Sequence, residues 1–146
     1  MSHEKIVVRQ RSQKEKPVPL ITISIFKGYS DDFKIRIQNA VHASFVSAFR
    51  IPEGDFNQKI DEYDKNNWKI PSGKSDNYVR IEAYVFPGRT RETKKKLYGE
   101  IVANLEKIGI KREDVIMALL EIPMENWAIR GGICADEVAL GYKTNI

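Results

Sequence analysis

A single cysteine, Cys134, leaves the chain without an internal disulfide. The two histidines, His3 and His42, lie far from that thiol in sequence, so no zinc-binding spacing exists. There is no apolar run long enough for a membrane-spanning helix. The polar start, MSHEKIVVRQRSQKEK, holds only a short apolar patch and is no secretory signal. A reducing cytoplasm is therefore the expected location. The GxSxG elbow, Walker A loop, GxGxxG and HExxH are all missing, so serine hydrolysis, nucleotide binding and zinc proteolysis lack their usual marks.

What is present suits one folded domain: 146 residues, 42% hydrophobic and 30% charged. The net charge of +4 divides unevenly. Residues 1–18 carry five Lys/Arg against two Glu, whereas 19–146 hold 19 basic and 18 acidic residues. Nucleic-acid binding concentrates basic charge on a folded face, and this nearly neutral body argues against it. Residues 1–18 read as a basic N-terminal extension, a solvated or loosely attached tail.

The body is one unit written twice. In LITISIF, 20–26, Ile21, Ile23 and Ile25 alternate with Leu20, Thr22, Ser24 and Phe26, the period of a strand. Gly28 breaks it, Ser30 is placed to cap a helix, and Phe33, Ile37, Val41, Phe45 and Ala48 form one helical face that must end before Pro52. A second strand is expected over 56–63, then a polar connection over 64–77. In the second unit YVRIEAYVF, 78–86, is a strand, and Thr90 caps a helix striped by Leu97, Ile101, Leu105 and Ile108. Gly109 ends that helix, and VIMALLEI, 115–122, is apolar on both faces, as a strand buried on both sides is. Strand, helix and strand recur at an offset of 59, the turns at 60. The expectation is an α/β (α+β) fold: a duplicated β-α-β unit, repeats 19–77 and 78–146, giving a four-stranded sheet with two helices on one face. Its other face needs a second layer, and the 123–146 tail, with its strand-like VALGYK, is too short to supply one, so a homo-oligomer is expected.

Several features have bland readings. His42, one residue past the apolar row, reads as a partly buried structural histidine, and the 94–96 lysine run as a solvated face. Gly131-Gly132 after Arg130 is an anion nest or simply a turn. One segment departs from this. Phe86-Pro87-Gly88-Arg89 leads a strand straight into a helix, setting a guanidinium beside orphan helix N–H groups, where a carboxylate is favoured.

Four stretches, PLITISIFKGYS (19–30), AVHASFVSAFRIPEGDFNQ (40–58), FPGRTRETKKKLYGEIV (86–102) and ENWAIRGG (125–132), resemble the tautomerase superfamily. The likeness covers 19–146 and is nearest the long-chain branch related to malonate semialdehyde decarboxylase. It implies trimers of duplicated β-α-β subunits, working without cofactor or metal on a small carboxylate substrate. It also implies an amino-terminal proline as acid or base, Pro19, with Arg89 holding the carboxylate and Asp55 the acidic residue of the decarboxylase branch. Trp127, Phe86 and Arg130 would complete the substrate pocket. The Arg-Pro-Arg turn of the decarboxylases is absent; Arg91 and Arg130 are the candidate substitutes. Keto–enol tautomerisation is thus expected ahead of decarboxylation or hydration, with a catalytically silent anion-binding oligomer as the other alternative. Pro19 follows Val18, where relatives have the initiator methionine, and a GTG start codon read internally gives valine; a mature protein beginning at Pro19 is the expectation.

Overall fold

The computed structural model describes residues 18–139 and 144–146; the extension at 1–17 and residues 140–143 of the strand-like tail segment lie outside the described residues. The isoleucine alternation of 20–26 becomes β1 (Leu20–Phe26). Ser30 then caps α1 (Asp31–Phe49), its Oγ accepting from Phe33 N, with Asp31 and Asp32 in the positive first turn. The helix closes at Arg50, which adopts a left-handed conformation (φ 56°) ahead of Pro52. β2 (Gln58–Tyr63) starts two residues later than the alternation predicts. The second unit follows as β3 (Val79–Val85), α2 (Arg91–Glu106) capped by Thr90, and β4 (Val115–Glu121). A small hairpin, β5 (Ala128–Ile129) and β6 (Ile133–Cys134), comes last.

The sheet runs in the order β2-β1-β3-β4. β1 is parallel to β2 and β3 to β4, while β1 and β3 join antiparallel, Ile23 opposite Ile81. Ile21, Ile23 and Ile25 with Ile81, Ala83 and Val85 form the buried inner face. Ile37, Val41 and Phe45 of α1 and Leu97, Ile101 and Leu105 of α2 cover it, as their helical spacing predicts. β4 forms one edge of the sheet, and among the described residues only one of its two apolar faces is covered. Val115, Met117 and Leu119 pack toward the core, but Ile116 remains 50% exposed on the opposite face. On that face the register aligns Leu120, Tyr84 and Leu20 in one row, each between 36% and 38% exposed. The double apolar pattern thus leaves an outer face that the described residues do not cover.

The repeat is also out of step with the simple offset. Burial matches Ile21 with Ile81 and Phe26 with Phe86, an offset of 60 that holds through the helices. It becomes 59 beyond them, where Glu62 corresponds to Glu121 and Asp55 to Asp114. A uniform 59 would put β3 on the wrong face, since one residue inverts a strand. The correspondence reaches the ion pairs. Lys34 meets Glu62 at 3.1 Å and Lys94 meets Glu121 at 2.7 Å, each tying a helix's first turn to its parallel strand. Lys94 is thus braced rather than simply solvated, and the Glu62 hydrogen bond, then Asp31, raises the Lys34 pKa.

Asp114 closes the second unit. Only 3% exposed, it accepts from Ser75 N at 2.9 Å and from the Ser75 hydroxyl, pinning the 64–77 connection. Burial alone would raise its pKa; the Ser75 hydrogen bonds, with Lys74 and Lys111, prevail and hold it below the ordinary value. A depressed carboxylate stabilises the fold above its unfolded pKa, and that stability is lost as pH falls through the folded one. Asp114→Asn is expected to cost about 1–2 kcal/mol at neutral pH. The gap from wild type should close on acidification, as read by urea unfolding across pH.

Candidate active site

Strand direction decides which residues can meet. The N-terminal ends of β1 and β2 and the C-terminal ends of β3 and β4 share one edge of the sheet. Pro19 precedes β1, Asp55 precedes β2, Phe86 and Arg89 follow β3, and Trp127 follows β4. Two backbone bonds extend the sheet into this edge: Ile21 N donates to Asn57 O at 3.1 Å and Ile122 N to Val85 O at 3.0 Å.

Every one of these five residues is buried. Arg89 is 7% exposed, its guanidinium carbon 4.5 Å from the centre of the Phe49 ring and its Nη1 donating to Phe86 O at 3.0 Å. The aromatic face and the carbonyl hold a planar cation in place at the start of α2. Asp55 is 2% exposed, in a turn closed by its own N–H donating to Pro52 O at 3.0 Å. Phe86 and Trp127 meet edge to face, centroids 5.1 Å apart, and Trp127 Nε1 donates to Ile122 O at 2.9 Å. With Val18, Ile129 and Ala135 they form a second apolar cluster apart from the main core. Val18, directly before Pro19, thus lies against the aromatic wall.

The remaining candidates stand differently. Arg130 occupies the β5–β6 turn with φ 48°, ahead of two glycines also at positive φ, and its Nη2 donates to Ala139 O at 3.3 Å. It is fastened to the C-terminal segment. Arg91 is exposed and faces Glu92 at 3.7 Å. His42 is more deeply buried than its position in the helical pattern suggests, 6% exposed, with Nε2 2.8 Å from Glu53 O. A hydrogen bond to the Asp136 side chain, reinforced by the nearby acidic charge, raises the Cys134 pKa. Among the described residues no group of three His, Cys, Asp or Glu is placed to hold a metal ion.

Two features escaped the sequence. One is Phe49, the last residue of α1, whose ring carries Arg89. The other is the C-terminal segment, which lies on the turn: Thr90 N donates to Ile146 O at 2.7 Å. Gly88 was the available signal. Its φ is 123°, and a Cβ there would meet Thr144 O at 2.8 Å.

A family model described as "Tautomerase enzyme" matches residues 55–130, and a second with the same description matches 19–76. The probable tautomerase YusQ of Bacillus subtilis (strain 168) is 26% identical over 121 residues, 79% of this chain and 95% of that protein. A solved malonate semialdehyde decarboxylase is 28% identical with a TM-score of 0.71, covering 75% of this chain and 88% of that one. Another, FG41 malonate semialdehyde decarboxylase, is 30% identical with a TM-score of 0.70, covering 75% and 87%. A native fused 4-OT, 18% identical, superposes with a TM-score of 0.74 over 85% of this chain and all of that one, a likeness of fold.

The turn's geometry yields a test. Gly88→Ala should destabilise the protein by about 2 kcal/mol, because a side chain at positive φ and a clash with Thr144 both oppose it. Thermal unfolding measures the loss, and faster amide exchange at Thr90 would report displacement of the C-terminal segment.

Proposed function

The chain belongs to the tautomerase family, and from that footing we propose that it is a keto–enol tautomerase, an isomerase acting on a small 2-oxo acid or its enol. The observation that carries this reading is the convergence of Pro19, Asp55 and Arg89 with Phe86 and Trp127 on one sheet edge. As the first residue of a chain, Pro19 is a secondary amine. An α-amino group starts near a pKa of about 8, and an apolar wall with a neighbouring guanidinium lowers it by disfavouring the ammonium. Such an amine takes the proton from the carbon next to the carbonyl, the C–H pair moves to form the enolate, and the proton returns to oxygen. Arg89 holds the substrate carboxylate, Asp55 orients substrate or water, and Phe86 and Trp127 exclude solvent. Arg130, now donating to Ala139 O, and the exposed Arg91 are the two candidates for a second carboxylate contact.

Behind another residue the Pro19 nitrogen is an amide with no basicity, and Val18 takes up space against Phe86 and Trp127. The active form therefore begins at Pro19. A second reading, decarboxylation or hydration of a 3-oxo acid, is favoured by the 28% and 30% identity to malonate semialdehyde decarboxylases and by the buried Asp55. Association also belongs to the proposal. The row of Leu120, Tyr84 and Leu20 is the surface by which copies meet in this reading, and a fused 4-OT of the same fold is a symmetric trimer.

A chain beginning at Pro19 should turn over phenylenolpyruvate or a 2-hydroxy-2,4-dienoate, while the 146-residue chain should be folded and nearly inactive. Arg89→Ala in the active form should lose about a hundredfold in kcat/KM. Full activity in the 146-residue chain would remove Pro19 as the base, and anion binding without turnover by either form would leave a silent binding protein. For assembly, Leu120→Glu should yield a folded monomer by light scattering and circular dichroism. Wild type that is monomeric at micromolar concentration would refute the trimer.

A further inference from the structure

We infer that His42 is a positioning residue that sets the place of Asp55, an inference that rests on the proposed role of Asp55 in the site. His42 lies on α1, outside the row of residues that covers the sheet, and is nevertheless buried. A buried imidazole is costly unless its polar atoms are satisfied. Here Nε2 lies 2.8 Å from Glu53 O, so Nε2 carries the proton and donates. The ring also stacks on Phe56, centroids 4.0 Å apart and planes 17° from parallel. The two residues gripped lie on either side of Asp55. Between them the turn is closed by Asp55 N donating to Pro52 O. The loop is thus held from one helix by a hydrogen bond before the carboxylate and a ring stack just after it. The Glu53 carboxylate contributes little: its oxygen is 3.8 Å from Nε2 and its side chain is 85% exposed.

The second repeat shows that the fold does not require this device. By the offset of 60 that aligns the helices, the counterpart of His42 is Val102, which offers no donor. The counterpart of Asp55 is Asp114, which bonds Ser75 directly through its carboxylate. In the second unit the Asp114 carboxylate holds Ser75, and in the first a histidine holds backbone and ring on either side of Asp55. The histidine occurs in the unit whose loop reaches the candidate active site.

Two variants separate the parts of the grip. His42→Phe keeps a ring to stack on Phe56 and loses the donor; His42→Gln keeps a donor at the reach of Nε2 and loses the stack. Kinetics are read on the form of the protein that turns over the enol, and amide exchange at Asp55 on the full chain. In His42→Phe, kcat should fall about tenfold or more, since small misplacements of a catalytic group are costly, while KM shifts less than about twofold. The Asp55 amide should exchange at least about tenfold faster. His42→Gln should restore both to within about threefold of wild type. An unchanged kcat in His42→Phe, or equal losses in both variants that follow the melting temperature, would overturn the inference and leave His42 merely structural. Should no form of the protein show turnover, the functional reading fails separately. The grip is then decided by exchange alone, and an unaltered Asp55 amide in His42→Phe overturns it.

Discussion

The antiparallel seam between β1 and β3 is the constraint on which the remaining geometry depends. Each repeat alone is a parallel pair with a crossover helix, and its two strands run the same way. Joining two such units antiparallel brings the start of one beside the finish of the other. Pro19 and Asp55, at strand beginnings, thereby reach Phe86, Arg89 and Trp127, at strand ends. A parallel seam would separate them by the length of a strand, roughly 20 Å. The same seam places Ile21, Ile23 and Ile25 beside Ile81, Ala83 and Val85, so one continuous apolar face receives both helices.

Much of this was legible because it is periodic. The alternation in 20–26 and 78–86, the helical stripes and the caps at Ser30 and Thr90 are local, and local rules locate them. The candidate site rests on motif resemblance alone: Asp55 and Arg89 are distant in sequence, and no periodicity relates them. The apolar outer face of β4 was legible as well, because a strand apolar on both sides calls for a second layer that the tail is too short to give. The change of offset was legible only in part: the turns recur at 60, and the burial of Ile81 rather than Arg80 places the single dropped residue between helix and second strand. Phe49 under Arg89 and the C-terminal segment over Gly88 are tertiary contacts without a sequence period.

Duplication preserved the frame and released the details. The braces of Lys34 with Glu62 and Lys94 with Glu121 recur, as does an aromatic pair at each end: Phe26 with Trp68 at 4.9 Å, and Phe86 with Trp127 at 5.1 Å. The turn that carries Arg89 in the second unit carries Tyr29 in the first. Tyr29 donates to Asn77 Oδ1 at 2.7 Å, and burial, with the Asp114 charge, raises its pKa. That end of the sheet carries a tyrosine hydroxyl where the other holds a cation.

Association through the row of Leu120, Tyr84 and Leu20, as proposed, would have a thermodynamic consequence. A layer contributed by another copy binds folded chains and has nothing to bind in unfolded ones, so mass action would link association to folding. Stability would then rise with protein concentration, and dilution alone would remove part of it without any change in sequence, temperature or pH. The amount of protein present would itself become a determinant of how well each chain stays folded.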